Sequence, residues 1–163
     1  MSGAVRRPRT SAGLLPYRVA PDGQVEVLIA HMGGPFWARK DERAWSIVKG
    51  EYDPTVEDPL DAARREFCEE TGFAVPAGAP RPLGEVRQSG GKTVVAWAVE
   101  ADLDPGALTP GTFTMEWPPR SGRQQEFPEI DRVAWVDPDG ARAKLVSGQV
   151  PLVDRLLDVL RDG

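Results

Sequence analysis

The chain has 163 residues and a mass of 17.8 kDa, enough for one sizeable core and too little for two. A content of 40% hydrophobic and 28% charged residues excludes disordered and collagen-like chains. The longest apolar runs, such as residues 93–99, fall far short of the roughly 20 residues of a membrane helix. A net charge of −5 argues against a nucleic-acid polymer as partner, since such binding depends on excess Lys and Arg, and no membrane partner is expected.

Residues 1–9 carry charge without the apolar stretch of a secretory leader, so a cytoplasmic protein with a frayed start is expected. Cys68 is the sole cysteine and His31 the sole histidine. An internal disulfide and a Cys/His zinc site are thereby excluded, and any metal must be held by oxygen. Cys68 has no evident base partner and is read as inert.

In chain order, residues 11–19 and 25–32 are β-branched, apolar runs joined by Ala20-Pro21-Asp22-Gly23, which predicts a hairpin. Residues 33–44 form a polar and aromatic loop with Phe36, Trp37, Arg39 and Lys40, and residues 45–49 a short strand. Residues 58–71 read as a helix: Asp58 suits the cap, Pro59 the first helical position and Gly72 the stop. Residues 83–88 and 92–101 predict a second hairpin, and 102–128 a long irregular stretch rich in Pro and Gly. A strand at 132–136 and helices at 138–146 and 152–160 complete the chain. Strands outnumber helices without alternating with them, which predicts a single α+β domain over residues 1–163, a mixed sheet covered by two or three helices.

The helix at 58–71 carries the informative feature. At about 100° per residue, Leu60, Ala63 and Phe67 share the stripe expected to pack on the sheet, and Glu66, Glu69 and Glu70 share the adjacent one. Like charges at these spacings each cost roughly 0.2–0.5 kcal/mol. Glu69 and Glu70 also sit where the helix dipole is already negative, which costs roughly another 0.3–1 kcal/mol each. Unneutralised carboxylates about 6 Å apart repel by roughly 3 kcal/mol at an effective dielectric of 20. A cation is expected on this face, either Arg65 in part or a hard ion such as Mg²⁺ or Mn²⁺. A merely solvated acidic face is the competing reading.

Gly50, Glu57 and the run Arg65-Glu66-Phe67-Cys68-Glu69-Glu70-Thr71-Gly72-Phe73 resemble the Nudix box of the Nudix hydrolases. The second half matches at every specified position, a coincidence on the order of one per million starts at ordinary residue usage. Six residues separate Gly50 from Glu57 where the family has five, and a locally bulged loop is expected there. The lead-in Trp45-Ser46-Ile47-Val48-Lys49-Gly50 is similar to that of dinucleoside-polyphosphate and diphosphoinositol hydrolases. The segments 33–40 and 116–123 look like a bacterial subgroup described as predicted nucleotide pyrophosphohydrolases.

The resemblance implies an α/β/α sandwich with the box as loop–helix–loop. It implies a Mg²⁺-dependent pyrophosphohydrolase (Mn²⁺ as the substitute ion), cleaving a nucleoside diphosphate linked to another group, with (d)NTPs and dinucleoside polyphosphates foremost. It assigns Mg²⁺ binding to the Gly50 carbonyl, Glu66, Glu69 and Glu70, and the role of general base to Glu66. Glu57 and Arg65 brace the loop–helix–loop. A further acidic ligand is expected from beyond the box: Glu126 is favoured over Glu116, with Glu129 a structural or surface residue. Arg39, Lys40, Lys49, Trp37 and Arg123 are candidates for substrate contact, with Arg120, Phe36 and Trp117 beside them. A homodimer is the family-level expectation. The competing function is a nucleotide-sensing domain that has kept the fold and lost turnover.

Overall fold

The computed structural model describes residues 10–162, so the expectation for residues 1–9 lies outside the described residues. Nine strands form: β1 (Thr10–Val19), β2 (Val25–Met32), β3 (Trp45–Ser46), β4 (Val48–Glu51), β5 (Arg81–Arg87), β6 (Thr93–Glu100), β7 (Thr112–Glu116), β8 (Gln124–Pro128) and β9 (Ile130–Val136). Among the described residues three α-helices accompany them: α1 (Pro59–Thr71), α2 (Pro138–Lys144) and α3 (Val150–Asp162).

Seven strands make one mixed sheet. β1 runs parallel to β6, from Thr10 opposite Thr93 to Tyr17 opposite Glu100, and β5 lies antiparallel on the far side of β6. β1 and β2 pair only near their turn, where Tyr17–Val19 faces Val25–Val27. Beyond that they diverge, and the continuous segment β3–β4 fills the gap. β3 pairs with β2 through Ala30 and Ser46, and β4 pairs with β1 through Leu14 and Val48. The strand expected at 45–49 is therefore broken at Ile47, where the chain changes partner. The amide of Ile47 donates to Oε1 of the fully buried Gln149 at 2.9 Å, which meets the demand that a buried backbone donor be paired.

Alternation along the central strands separates two cores. Leu15, Val27 and Ile29 face α2 and α3, in the cluster with Trp45, Leu145 and Leu156. Leu14, Leu28 and Ala30 face α1, in the cluster with Ala63 and Phe67. The result is the α/β/α sandwich. Helix α1 begins where the sequence predicts, with Asp58 accepting from the amide of Leu60 at 3.1 Å. Ala62 replaces the half-buried Leu60 on its innermost stripe. It stops at Gly72, whose φ of 73° is left-handed backbone that glycine adopts without strain.

Residues 102–128 are not irregular throughout. β7 and β8 pair as a two-stranded hairpin, with Thr112 opposite Pro128 and Glu116 opposite Gln124. The alternation Phe113, Met115, Trp117 carries this strand, and the surrounding Pro and Gly obscure it. Elsewhere the differences are at element ends: β9 starts at Ile130, and α3 spans Val150–Asp162. Among the described residues no helix is long and apolar enough to cross a membrane.

Candidate active site

β4 delivers Gly50 to the start of the loop that leads into α1. An ideal Cβ on Gly50 would fall 2.0 Å from the carboxyl carbon of Glu66, so only a residue without a side chain lets that carboxylate lie on the backbone here. The extra residue of the following loop is taken up in a tight turn. The carbonyl of Asp53 accepts from the amides of both Val56 and Glu57 at 3.1 Å, and its Oδ1 accepts from the amide and hydroxyl of Thr55 at 2.9 and 2.6 Å. Val56 is turned out to solvent, 80% exposed. The insertion thus leaves Gly50 under Glu66 and Glu57 within reach of α1.

Arg65 gathers the acidic side chains of the helix. Its Nε and Nη2 donate to the two oxygens of Glu57, both at 2.9 Å. Its Nη1 donates to Glu66 at 2.9 Å and to Glu69 at 3.2 Å. Hydrogen bonding from Arg65 holds the Glu57 carboxyl below its ordinary value. Glu66 is buried, and that burial pushes its carboxyl up against the opposing pull of Arg65.

Glu70 has no such partner. Burial, reinforced by the charges of Glu129, Glu66 and Glu69, pushes its carboxyl up to about 7. It lines a cleft of about 180 Å³ with Met32, Ser46, Lys49, Glu129 and Ile130. The amine of Lys49 is pushed down mainly by burial, with the charges of Glu51, Glu66 and Glu70 acting the other way. Glu129 keeps an exposed side, yet partial burial raises its carboxyl too. Backbone pairing fixes its place: its amide donates to the Gly111 carbonyl at 2.8 Å, its carbonyl accepts from Gly33 at 3.0 Å, and the Thr109 amide donates to Thr71 at the end of α1 at 2.9 Å.

Two wider hollows, of about 500 and 510 Å³, lie beside Arg18 and Arg142. Of the acids that line them, Glu26 and Asp102 pair with Arg18, Asp154 with Arg142 and Asp158 with Arg161, and Glu100 forms no ion pair among the described residues. The small cleft differs in bringing two carboxyls raised by burial, Glu70 and Glu129, together with Lys49.

The family model for the NUDIX domain matches residues 8–156. The chain belongs to the Nudix hydrolase family. It is therefore a hydrolase acting on phosphoanhydride bonds, in a family that generally uses a divalent metal such as Mg²⁺. Solved structures agree on the fold. An Ap4A hydrolase of C. elegans is 20% identical, with a TM-score of 0.64 over 95% of this chain and 99% of that one. The NUDIX domain of Shewanella oneidensis NrtR, complexed with ADP ribose, is 16% identical, with a TM-score of 0.63 over 96% and 91%. A mutT/nudix family protein from Listeria innocua is 16% identical, with a TM-score of 0.62 over 96% and 97%. No curated protein matches the sequence.

The donor set suits the divalent ion that Nudix enzymes use: carboxylate oxygens, a backbone carbonyl at Gly50, and no thiolate or imidazole. At Gly50 the space a Cβ would fill holds the Glu66 carboxylate, which brings that oxygen donor onto the backbone. Among the described residues, however, no three acidic, His or Cys side chains already converge as a coordination shell. Arg65 holds Glu66 and Glu69 instead, and supplies part of the cation that the crowded helix face requires.

The other residues singled out in this Nudix sequence are distributed unevenly. Gly50, Glu57, Arg65, Glu66, Glu69 and Glu70 come together, and Lys49 joins Glu70 in the cleft. Glu126 does not: it lies exposed on β8 opposite Thr114, and Glu129 lines the cleft instead. Trp37 packs against the core under α2 and α3, with the Lys40 amine 5.3 Å from its ring. Arg39 and Arg123 are exposed. His31 is fully buried, its Nδ1 2.8 Å from Asp131 and its Nε2 2.6 Å from the Lys40 carbonyl, so it ties β2 to β9 and to the loop after it.

Proposed function

We propose that the protein is a Mg²⁺-dependent pyrophosphohydrolase that cleaves a phosphoanhydride bond of a nucleoside diphosphate linked to another group, a (d)NTP or a dinucleoside polyphosphate. The observation that carries this reading is the accumulation of acid at the end of α1. Four carboxylates share one region, Arg65 answers only some of them, and Glu70 is driven up to about 7. Such a site calls for cations, and an acidic protein accepts a polyanionic diphosphate only where cations stand between them.

In this reading the Gly50 carbonyl, Glu66, Glu69 and Glu70 hold the ion, and Glu129 takes the place foreseen for Glu126. When bound, the divalent ion screens the diphosphate and acidifies water at neutral pH. Glu66, fixed by Arg65 and the Gly50 backbone, orients the attacking water and accepts its proton. Lys49 contacts a phosphate oxygen from the opposite wall of the cleft. The names of two of the similar structures, an Ap4A hydrolase and a NUDIX domain complexed with ADP ribose, are compatible with a nucleoside-diphosphate substrate.

The test is a panel of (d)NTPs, dinucleoside polyphosphates, ADP-ribose and nucleotide sugars, with Mg²⁺, with Mn²⁺ and with EDTA. Metal-dependent phosphate or pyrophosphate release, lost in Glu69→Gln with an unchanged melting curve, is the expected result. Nucleotide binding without turnover under every metal condition would favour the sensing domain instead.

A further inference from the structure

We propose that the β7–β8 hairpin and the loop at residues 33–36 form a subsite for the aromatic base of the substrate, with Phe36 and Trp117 as its stacking surfaces. The inference rests on the nucleotide reading above and adds to it the chemistry of the group beyond the phosphates.

The hairpin has an apolar face without a core behind it. Phe113, Met115 and Trp117 alternate with exposed Thr114 and Glu116, so all three lie on one side. The ring of Phe127 on β8 meets Phe113 at 6.0 Å between centroids. Each of these residues is only half-buried. A two-stranded hairpin is marginal alone and needs something packed on its apolar face.

The body of the protein covers that face sparingly, through loop 33–36. Gly34 sits so close that a Cβ would lie 2.9 Å from Cζ of Phe113. Phe36 meets Trp117 edge-on, with centroids 5.4 Å apart and planes at 81°. Phe36 remains 59% exposed, leaving ring surface in water beside a second aromatic residue distant along the chain. A flat heteroaromatic ring laid on either residue removes that surface from water and gains stacking.

Position and charge select the occupant. The base of the hairpin is pinned by Gly111 and Gly33 to Glu129, the residue facing Glu70 across the cleft. Phe36 follows Gly33 by three residues, so its Cα lies within about 11 Å of that anchor, a span that the ribose and diphosphate of a nucleotide can bridge. Arg39 on the loop and Arg120 and Arg123 at the hairpin tip are exposed. Among the described residues they have no acidic partner, whereas Arg18, Arg65 and Arg142 do. Cations without an acidic partner thus lie close in the chain to both members of the aromatic pair, on the loop and hairpin that Glu129 anchors. That combination suits a nucleotide better than a base-free sugar or inositol diphosphate.

The test measures Kd for the α,β-methylene analogues of dATP and dGTP by calorimetry in the wild type, Phe36→Ala, Trp117→Ala and Trp117→Phe, all in Mg²⁺. It also compares KM and kcat for the nucleotides with those for phosphoribosyl diphosphate, which lacks a base. Phe36→Ala and Trp117→Ala are expected to raise nucleotide Kd and KM about tenfold, leave kcat within threefold and leave the base-free compound unchanged. Trp117→Phe is expected to restore most of the affinity. Unchanged nucleotide Kd, or equal weakening for the base-free compound, overturns the subsite while leaving the hydrolase reading intact. If no nucleotide is turned over, that reading fails, and Kd still decides: binding lost in the variants supports the subsite, and no binding by the wild type overturns it. Should Trp117→Ala not fold, Phe36→Ala on the exposed loop decides the same question.

Discussion

The α-carbon of Gly50 lies against the carboxylate of Glu66: a Cβ there would come within 2.0 Å of the carboxyl carbon and of one oxygen, and 2.5 Å of the other. The atoms displaced would be the end of a side chain, so Gly50→Ala is expected to fold, with a stability change within about 1 kcal/mol. Hydrolysis should nonetheless fall at least a hundredfold, because an ångström of displacement at a reacting centre is enough for that. Denaturant melts run beside kcat measurements check both halves. A variant that retains full activity would show that the Glu66 position is not critical.

Glu129 and Glu126 are three residues apart and stand in different surroundings. Glu129 faces Glu70 in the cleft, and Glu126 is exposed on β8. Glu129→Gln is expected to raise the Mg²⁺ concentration needed for half-maximal activity about tenfold or more, and Glu126→Gln to change it less than twofold. Metal titrations of activity on the two variants decide. The reverse ranking would return the outer ligand to the hairpin.

The raised carboxyl of Glu70 makes the stability of the metal-free protein depend on pH. Its ordinary value is 4.5 and its folded value about 7, so between these the folded chain keeps a proton that the unfolded chain has released. Stability therefore falls as pH rises through this window, and the loss is complete above it. Discounted for solvent screening, the cost is on the order of 1–2 kcal/mol. Glu57, held below its ordinary value by Arg65, has the opposite sign and acts only in acid, as pH falls through its lowered value. Urea midpoints in EDTA should drop between pH 5 and pH 8 in the wild type and stay flatter in Glu70→Gln. Added Mg²⁺ should recover the difference at pH 8 by mass action. Parallel curves for the two proteins would mean that Glu70 is not the group responsible.

Much of the site is legible from local chemistry. The cap at Asp58, the stop at Gly72 and the clash of Glu66, Glu69 and Glu70 with one another are decided within one helix, so sequence reveals them. The partition of β3 from β4 is not local. It depends on where β1 and β2 diverge and on Gln149, about a hundred residues away, reaching Ile47. Glu129 escapes a sequence reading for the same reason. Its approach to Glu70 is set by Gly111 and Gly33 pairing across three segments, which no pattern local to residues 126–129 records. The period-two pattern at 113–117 is present in the sequence but masked by the density of Pro and Gly around it.

Among the described residues Arg65 is the one cation that touches Glu57, Glu66 and Glu69 together, and it holds them through a planar fork that a lysine lacks. Its side chain is 38% exposed, so these ion pairs contribute little to global stability, and Arg65→Lys is expected to lower the melting midpoint by only a few degrees. The effect on turnover should be larger, about ten- to a hundredfold, because Glu66 loses its orientation and the loop at 52–57 loses its tie to α1. The sign of the pH effect also follows. Arg65 pulls the Glu66 carboxyl down against burial, so Arg65→Ala lets it rise, and the acidic limb of the kcat/KM profile should move to higher pH. A profile that drops in height without moving along the pH axis would assign Arg65 to loop bracing alone.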